Sequence, residues 1–173
     1  MRRRIAALVA LLALLAGCGG GVEGSPVAAE RWDPCSIEQT AVAATGLDPE
    51  YREEGWGRGI EVPDWGRCVF RAPGGADSPY GLSVLSSTDH TIAEARAKST
   101  NLDGRDLFIG GRDAYMFRTE FGDAIRDCQI AVEVPRGVVV FNALYNKADG
   151  VDACAVVAMH VDDLESAVPA APN

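Results

Sequence analysis

Positive charge is scarce in this sequence. There is no Lys/Arg-rich run, and 16 basic residues stand against 25 acidic ones for a net charge of −9. No basic face with interleaved aromatics is present, so nucleic acid is excluded as a partner. Histidine is rarer still: His90 and His160 are the whole supply, too few for a three-histidine zinc site. The cysteines are widely spaced, without the close C-x-x-C pairs of structural zinc. A G-x-S-x-G elbow and an S-x-x-K motif are missing, as is a D-x-D-x-D-G calcium loop. The longest apolar run, Ile5 to Ala16, is about a dozen residues, well short of the roughly 20 that span a bilayer.

That short run has a different use. Arg2, Arg3 and Arg4 precede it and small residues follow it, the parts of a secretory signal peptide. Its end, Leu15-Ala16-Gly17-Cys18, has the form of a bacterial lipobox. In such a leader the Cys18 thiol takes a diacylglycerol and the peptide is cut just before it. Residues 1–17 are therefore expected to be a lipoprotein signal peptide, with Cys18 the lipidated (palmitate-bearing) first residue of the mature chain. Two or three acyl chains anchor firmly where one holds only marginally. The expected location is the outer, extracytoplasmic side of the cell membrane.

Removing 17 of the 173 residues leaves 156, one domain's worth. Three of the 16 basic residues and no acid leave with the leader, so the net charge moves from −9 to −12. A body this acidic is not held on anionic lipid by charge; the lipid on Cys18 does the anchoring. Residues 19–31, GGGVEGSPVAAER, are rich in glycine and small residues and read as a flexible tether. Cys35, Cys68, Cys128 and Cys154 remain, an even number in an exported chain, which reads as two disulfides. Three connectivities are possible. Cys35–Cys68 with Cys128–Cys154 is favoured, because each bond closes a sequence-local unit.

The domain is expected over residues 32–167, with a frayed tail at 168–173. Residues 36–47 read as a helix, with Ser36 and Gln39 as a capping box and Gly46 as its stop. Residues 67–71 and 80–87 read as strands. Thr91 and Glu94 form a second capping box, starting a short helix to about residue 98. Residues 101–106 read as a polar loop, and Gly110-Gly111 as a turn before a strand at 113–120. In residues 127–134, Cys128, Ile130, Val132 and Val134 share one face. Pro135-Arg136-Gly137 turns the chain into a partner strand at 137–145. The last element is an amphipathic helix carrying Val151, Cys154, Ala155, Ala158, Val161 and Leu164 on its apolar stripe. Consecutive strands with flanking helices predict a single α+β domain, an antiparallel sheet with packed helices.

Several of these pieces fall in a recognisable order. Residues 33–36, Asp-Pro-Cys-Ser, open a helix ending in Thr45-Gly46-Leu47, and Cys68 opens a strand after Trp65. Residues 110–114 read Gly-Gly-Arg-Asp-Ala, Cys128 starts a hairpin strand, and Asp152-Ala153-Cys154 opens the last helix. With the lipobox, residues 32–167 resemble the actinobacterial lipoproteins grouped as "domain of unknown function 3558". The resemblance implies an actinobacterial envelope protein with two disulfides, compatible with the local pairing. It implies no reaction. A fold like the Mog1/PsbP group suits the element order by analogy. The short tether, poor in Ser and Thr, departs from the long polar tethers of such lipoproteins.

Candidate chemistry is thin. His160 falls one position off the apolar stripe and is expected on a helix flank at the surface. His90 precedes a helix start and reads as a loop residue. With all four mature cysteines oxidised there is no thiol nucleophile. Glu53-Glu54 and Asp162-Asp163 with Glu165 read as solvated acids rather than cation ligands. Gly110-Gly111-Arg112 precedes a strand, so no helix N-terminus faces an anion there; Arg112 reads as a salt-bridge partner. The stretch with most promise is 51–65, where Tyr51, Trp56, Arg58 and Trp65 are the residue types that dominate binding hot spots. The expectation is a monomeric, non-catalytic, lipid-anchored lipoprotein without cofactor or metal. Its partner would be an envelope protein, a glycan or a lipid. A small-molecule-binding or transport-accessory lipoprotein is the alternative, and a hydrolase with an unrecognised site is third.

Overall fold

The computed structural model describes residues 30–121, 125–147 and 149–170. The predicted leader, Cys18 and most of the tether lie outside them. Eight strands form one antiparallel sheet: β1 (Glu53–Glu54), β2 (Gly66–Arg71), β3 (Tyr80–Ser87), β4 (Leu102–Ile109), β5 (Arg112–Arg118), β6 (Glu120–Phe121), β7 (Ile125–Glu133) and β8 (Val138–Tyr145). Their order is β1-β2-β3-β8-β7-β5-β4, and β6 pairs with β7. Among the described residues three α-helices accompany them: α1 (Gln39–Ala44), α2 (Ile92–Ala97) and α3 (Ala153–Leu164). This is the α+β class expected, with two disulfides in one domain.

Alternation gives the sheet two unlike faces, because successive side chains point to opposite sides. On the first face, Cys68, Phe70, Leu82, Val84, Ile130 and Phe141 are fully buried. Residues 32–47 and α3 cover them in one continuous core. The disulfides Cys35–Cys68 and Cys128–Cys154 fasten the two covering segments to this face, one each. The second face is covered only in part. Short α2 lies there on Phe117, Ala131, Val138 and Val140, with Ile92 as its buried contact.

Local chemistry explains the boundaries. The capping box of α2 forms as expected: Thr91 Oγ1 accepts from the Glu94 amide at 3.3 Å, and Glu94 Oε2 accepts from the Thr91 amide at 2.9 Å. The other expected box does not form. Ser36 ends a 3₁₀ turn, Pro34–Ser36, and its hydroxyl donates to the Asp33 carbonyl at 2.6 Å. Asp33 is the cap, its carboxylate accepting from the Cys35 amide at 2.8 Å. A Pro at the first helical position already favours a start there. Asp152 caps α3 by accepting from the Cys154 amide at 3.0 Å.

Two expectations are corrected here. Residues 101–106 are mostly strand: β4 pairs with β5 from Leu102 to Ile109. It is the outer strand of the sheet and nearly all its side chains are exposed. Backbone bonds define it, so it carries no apolar alternation to read. Its register shifts between Leu102 and Arg105, and Gly104 there leaves room for the Tyr115 ring, whose hydroxyl would sit 1.7 Å from an added Cβ. The second correction is the phase of α3. Cys154, Val156, Val157, His160, Val161 and Leu164 face the core, while Val151 and Ala155 are exposed. His160 is fully buried, not a surface flank. A polar group is tolerated inside when it finds a partner, and Tyr80 Oη lies 2.8 Å from His160 Nε2.

Candidate functional site

Partial cover of the second face leaves a groove of about 320 Å³ between α2 and the open sheet. Its walls are apolar: Trp65, Leu85, Phe117, Ala131, Val138 and Val140. Its polar groups are His90, Thr91, Glu94, Lys98, Asn101, Thr119 and Gln129. An apolar concavity of this size with a few convergent polar groups is the usual form of a small-molecule site. A second hollow, about 430 Å³, lies between residues 31–34 and the β1–β2 edge. Its lining mixes Trp32, Pro34 and Trp65 with the charged Arg31, Asp33, Glu54 and Arg67.

The groove's outer wall is tied to the sheet through side chains. Arg96, on the far side of α2, donates to Asp106 at 2.7 Å and to Asp113 at 3.3 Å, tying the helix to β4 and β5. His90 stacks on Trp65, with ring centroids 4.9 Å apart and planes 13° from parallel. Its Nδ1 faces Glu94 Oε2 at 3.2 Å. The Glu94 carboxyl is held below its usual range, first by the Thr91 amide and then by His90.

Beneath the groove a polar cluster is set into the sheet. Asp127 is buried, yet its carboxylate accepts from the Thr119 amide (2.8 Å), the Thr119 hydroxyl (2.7 Å), Gln129 Nε2 (3.0 Å) and Asn142 Nδ2 (3.4 Å). Four donors satisfy the charge without a cation. Next to Asn142 in the register is Ser83, whose hydroxyl accepts from Arg67 at 3.2 Å.

The four residues singled out as contacts each have different surroundings. Trp65 is in the groove wall. Tyr51 is half-buried under Arg71, whose guanidinium lies 3.8 Å from the ring centroid. Its hydroxyl donates to Glu53 at 2.9 Å, which raises its pKa. Trp56 lies under Arg67 at 5.1 Å. Arg58 is exposed.

The histidines are occupied differently. His160 sits between α3 and Tyr80, and burial pushes its imidazole below the ordinary value, opposed by the Asp163 carboxylate. His90 bonds through its ring to Glu94, while the nearby Ser87 hydroxyl accepts from the backbone amides of Asp89 and His90. Among the described residues no hydroxyl is hydrogen-bonded to the His90 ring, the contact an activated nucleophile needs. Nor do three His, Cys, Asp or Glu side chains converge on a point there. Arg112 is buried, but it meets the Glu165 carbonyl at 3.5 Å rather than a carboxylate, so the expected salt bridge is replaced by a contact with the end of α3.

A family described as "Protein of unknown function (DUF3558)" matches residues 13–166. The chain belongs to the DUF3558 family. No curated protein matches it. Among solved structures it is similar to cyanobacterial PsbP (CyanoP) from Synechocystis sp. PCC 6803, at 15% identity and a TM-score of 0.37, over 89% of this chain and 93% of that one.

In this DUF3558 domain Trp65 is the groove residue that the sequence marks as a contact, while His90, Thr91 and Glu94 read only as a loop residue and a helix cap. Asn101 fell in the presumed loop, and Gln129 in a strand read for its apolar face. One signal was available: Asn142 interrupts the apolar run VVVFNALY, and a polar residue there marks a second face that is not plain core.

Proposed function

We propose that this DUF3558 protein is a lipid-anchored, non-catalytic binding protein of the cell envelope whose ligand occupies the groove between α2 and the open sheet face. One observation carries the reading: the disulfides fasten cover to one face of the sheet, while the other keeps an apolar concavity walled by a pinned helix. This favours a small-molecule or transport-accessory role over the docking of a macromolecule on the 51–65 loop, where Tyr51 and Trp56 are engaged by Arg71 and Arg67. The lipobox ending at Cys18 supports tethering outside the membrane. No helix among the described residues is long and apolar enough to cross a bilayer.

Two measurements test the reading. Palmitate label should enter the wild-type chain, and Cys18→Ala should lose both the label and fractionation with washed membranes. The neutral dye Nile red should bind the purified domain with one site per chain, and Leu85→Trp, which fills the groove from its floor, should abolish it. Membrane retention of the unlabelled Ala variant would refute the anchor. Undiminished dye binding by Leu85→Trp would refute the site.

A further inference from the structure

Two carboxamides line the groove, and their orientations are dictated by what their amino ends touch. Asn101 Nδ2 donates to the Ala95 carbonyl at 2.7 Å. Gln129 Nε2 donates to Asp127 Oδ2 at 3.0 Å and to Thr119 Oγ1 at 3.3 Å. A backbone carbonyl and a carboxylate can only accept, so neither amide can be turned round. What each has left is its oxygen. Asn101 Oδ1 is buried without a partner, and Gln129 Oε1 accepts nothing from the described residues. Asn142, directly opposite Gln129 in the β7–β8 register, repeats the pattern. Its Nδ2 faces Asp127, and its Oδ1 is buried and unpartnered.

Gln129 and Asn142 in the Asp127 cluster, and Asn101 beside α2, thus all keep acceptors in reserve. A buried acceptor without a donor costs free energy that a bound donor recovers. The charge beneath points the same way. Asp127, bonded to Gln129, is a buried carboxylate whose described partners are all neutral, and Glu94 is the acid in the groove lining, so both disfavour an anion there. Lys98, at the rim, is the cation in the lining.

We propose that the groove takes an amphipathic small molecule with an apolar body and a head group of N–H or O–H donors, received by Asn101 and Gln129. This rests on the groove being the binding site. Apolar walls set the body, and the acceptor oxygens set the head.

The test compares three probes with one chain length: octylammonium, octyl glucoside and octanoate, titrated below their micellar concentrations against the intact mature chain by isothermal calorimetry. The expected order puts the two donor-headed probes at least tenfold tighter than octanoate. Asn101→Leu and Gln129→Met keep the side-chain volume and remove the acceptor, together with the N–H donor to the Ala95 carbonyl and to Asp127. Each should weaken the donor-headed probes about tenfold relative to octanoate. Lys98→Met should leave the order intact. Equal affinity for all three probes, or tightest binding of octanoate lost in Lys98→Met, would overturn the head-group assignment while sparing the groove. Failure of every probe and of Nile red would overturn both. Should either amide variant fail to fold, judged by its circular dichroism, the probe order on the wild-type chain decides.

Discussion

Replacing Cys128 and Cys154 together by alanine removes the bond that fastens α3 to the covered face. Twenty-six positions separate the two cysteines. In the chain-entropy account a loop of that size constrains the unfolded chain by about 3.5 kcal/mol. The separation of 33 for Cys35–Cys68 gives nearly the same, about 3.7 kcal/mol. For a domain of this length each kcal/mol moves Tm by roughly 3–4 °C, so either double variant should melt about 10–15 °C lower. Urea denaturation and calorimetry near pH 7.5 measure both quantities. Double replacement leaves no free thiol to rearrange. Because the groove lies on the opposite face, the Cys128→Ala/Cys154→Ala protein should still bind Nile red like wild type below its transition. A loss of less than about 1 kcal/mol would refute the loop-closure reasoning. Loss of dye binding in the still-folded variant would refute the independence of the two faces.

Other perturbations follow from single residues. Gly137 turns the β7–β8 hairpin at φ +96°, where an added Cβ would lie 2.0 Å from the Ser87 carbonyl oxygen. Gly137→Ala should therefore cost at least about 1–3 kcal/mol in urea midpoint analysis. Thr91→Ala removes the α2 cap and should cost about 1 kcal/mol; because α2 walls the groove, Nile red affinity should fall as well. The His160 imidazole titrates lower in the folded chain than in the unfolded one, so unfolding takes up a proton. Its contribution is complete above about pH 6.5 and is lost as pH falls through the lower folded value. Tm should drop between pH 7 and 5, and His160→Gln should flatten that drop. Asp152, held low first by Arg118, and Glu94 act only in a more acid window, below about pH 4.5.

The covered face was legible because it is written in periods. Cys128, Ile130, Val132 and Val134 alternate as a strand should, and each is buried. Both capping residues of α2 were readable for the same local reason. The rest depended on what lies across the sheet. β4 is polar because it is an edge, and pairing with β5 is a non-local fact. The burial of His160 depended on Tyr80, eighty positions earlier, being opposite it. The groove is a matter of what does not cover a face, which no residue pattern in one segment records. Trp65 was singled out for its type, yet its neighbour in space is His90, whose stacking only the fold supplies.

The most direct test of the account is Nile red titration of three proteins: wild type, Leu85→Trp in the groove floor, and Met159→Trp on the exposed outer side of α3. The account predicts single-site binding to wild type and Met159→Trp, and none to Leu85→Trp. Equal binding to all three, or loss only in Met159→Trp, would contradict the assignment of the open sheet face as the ligand site.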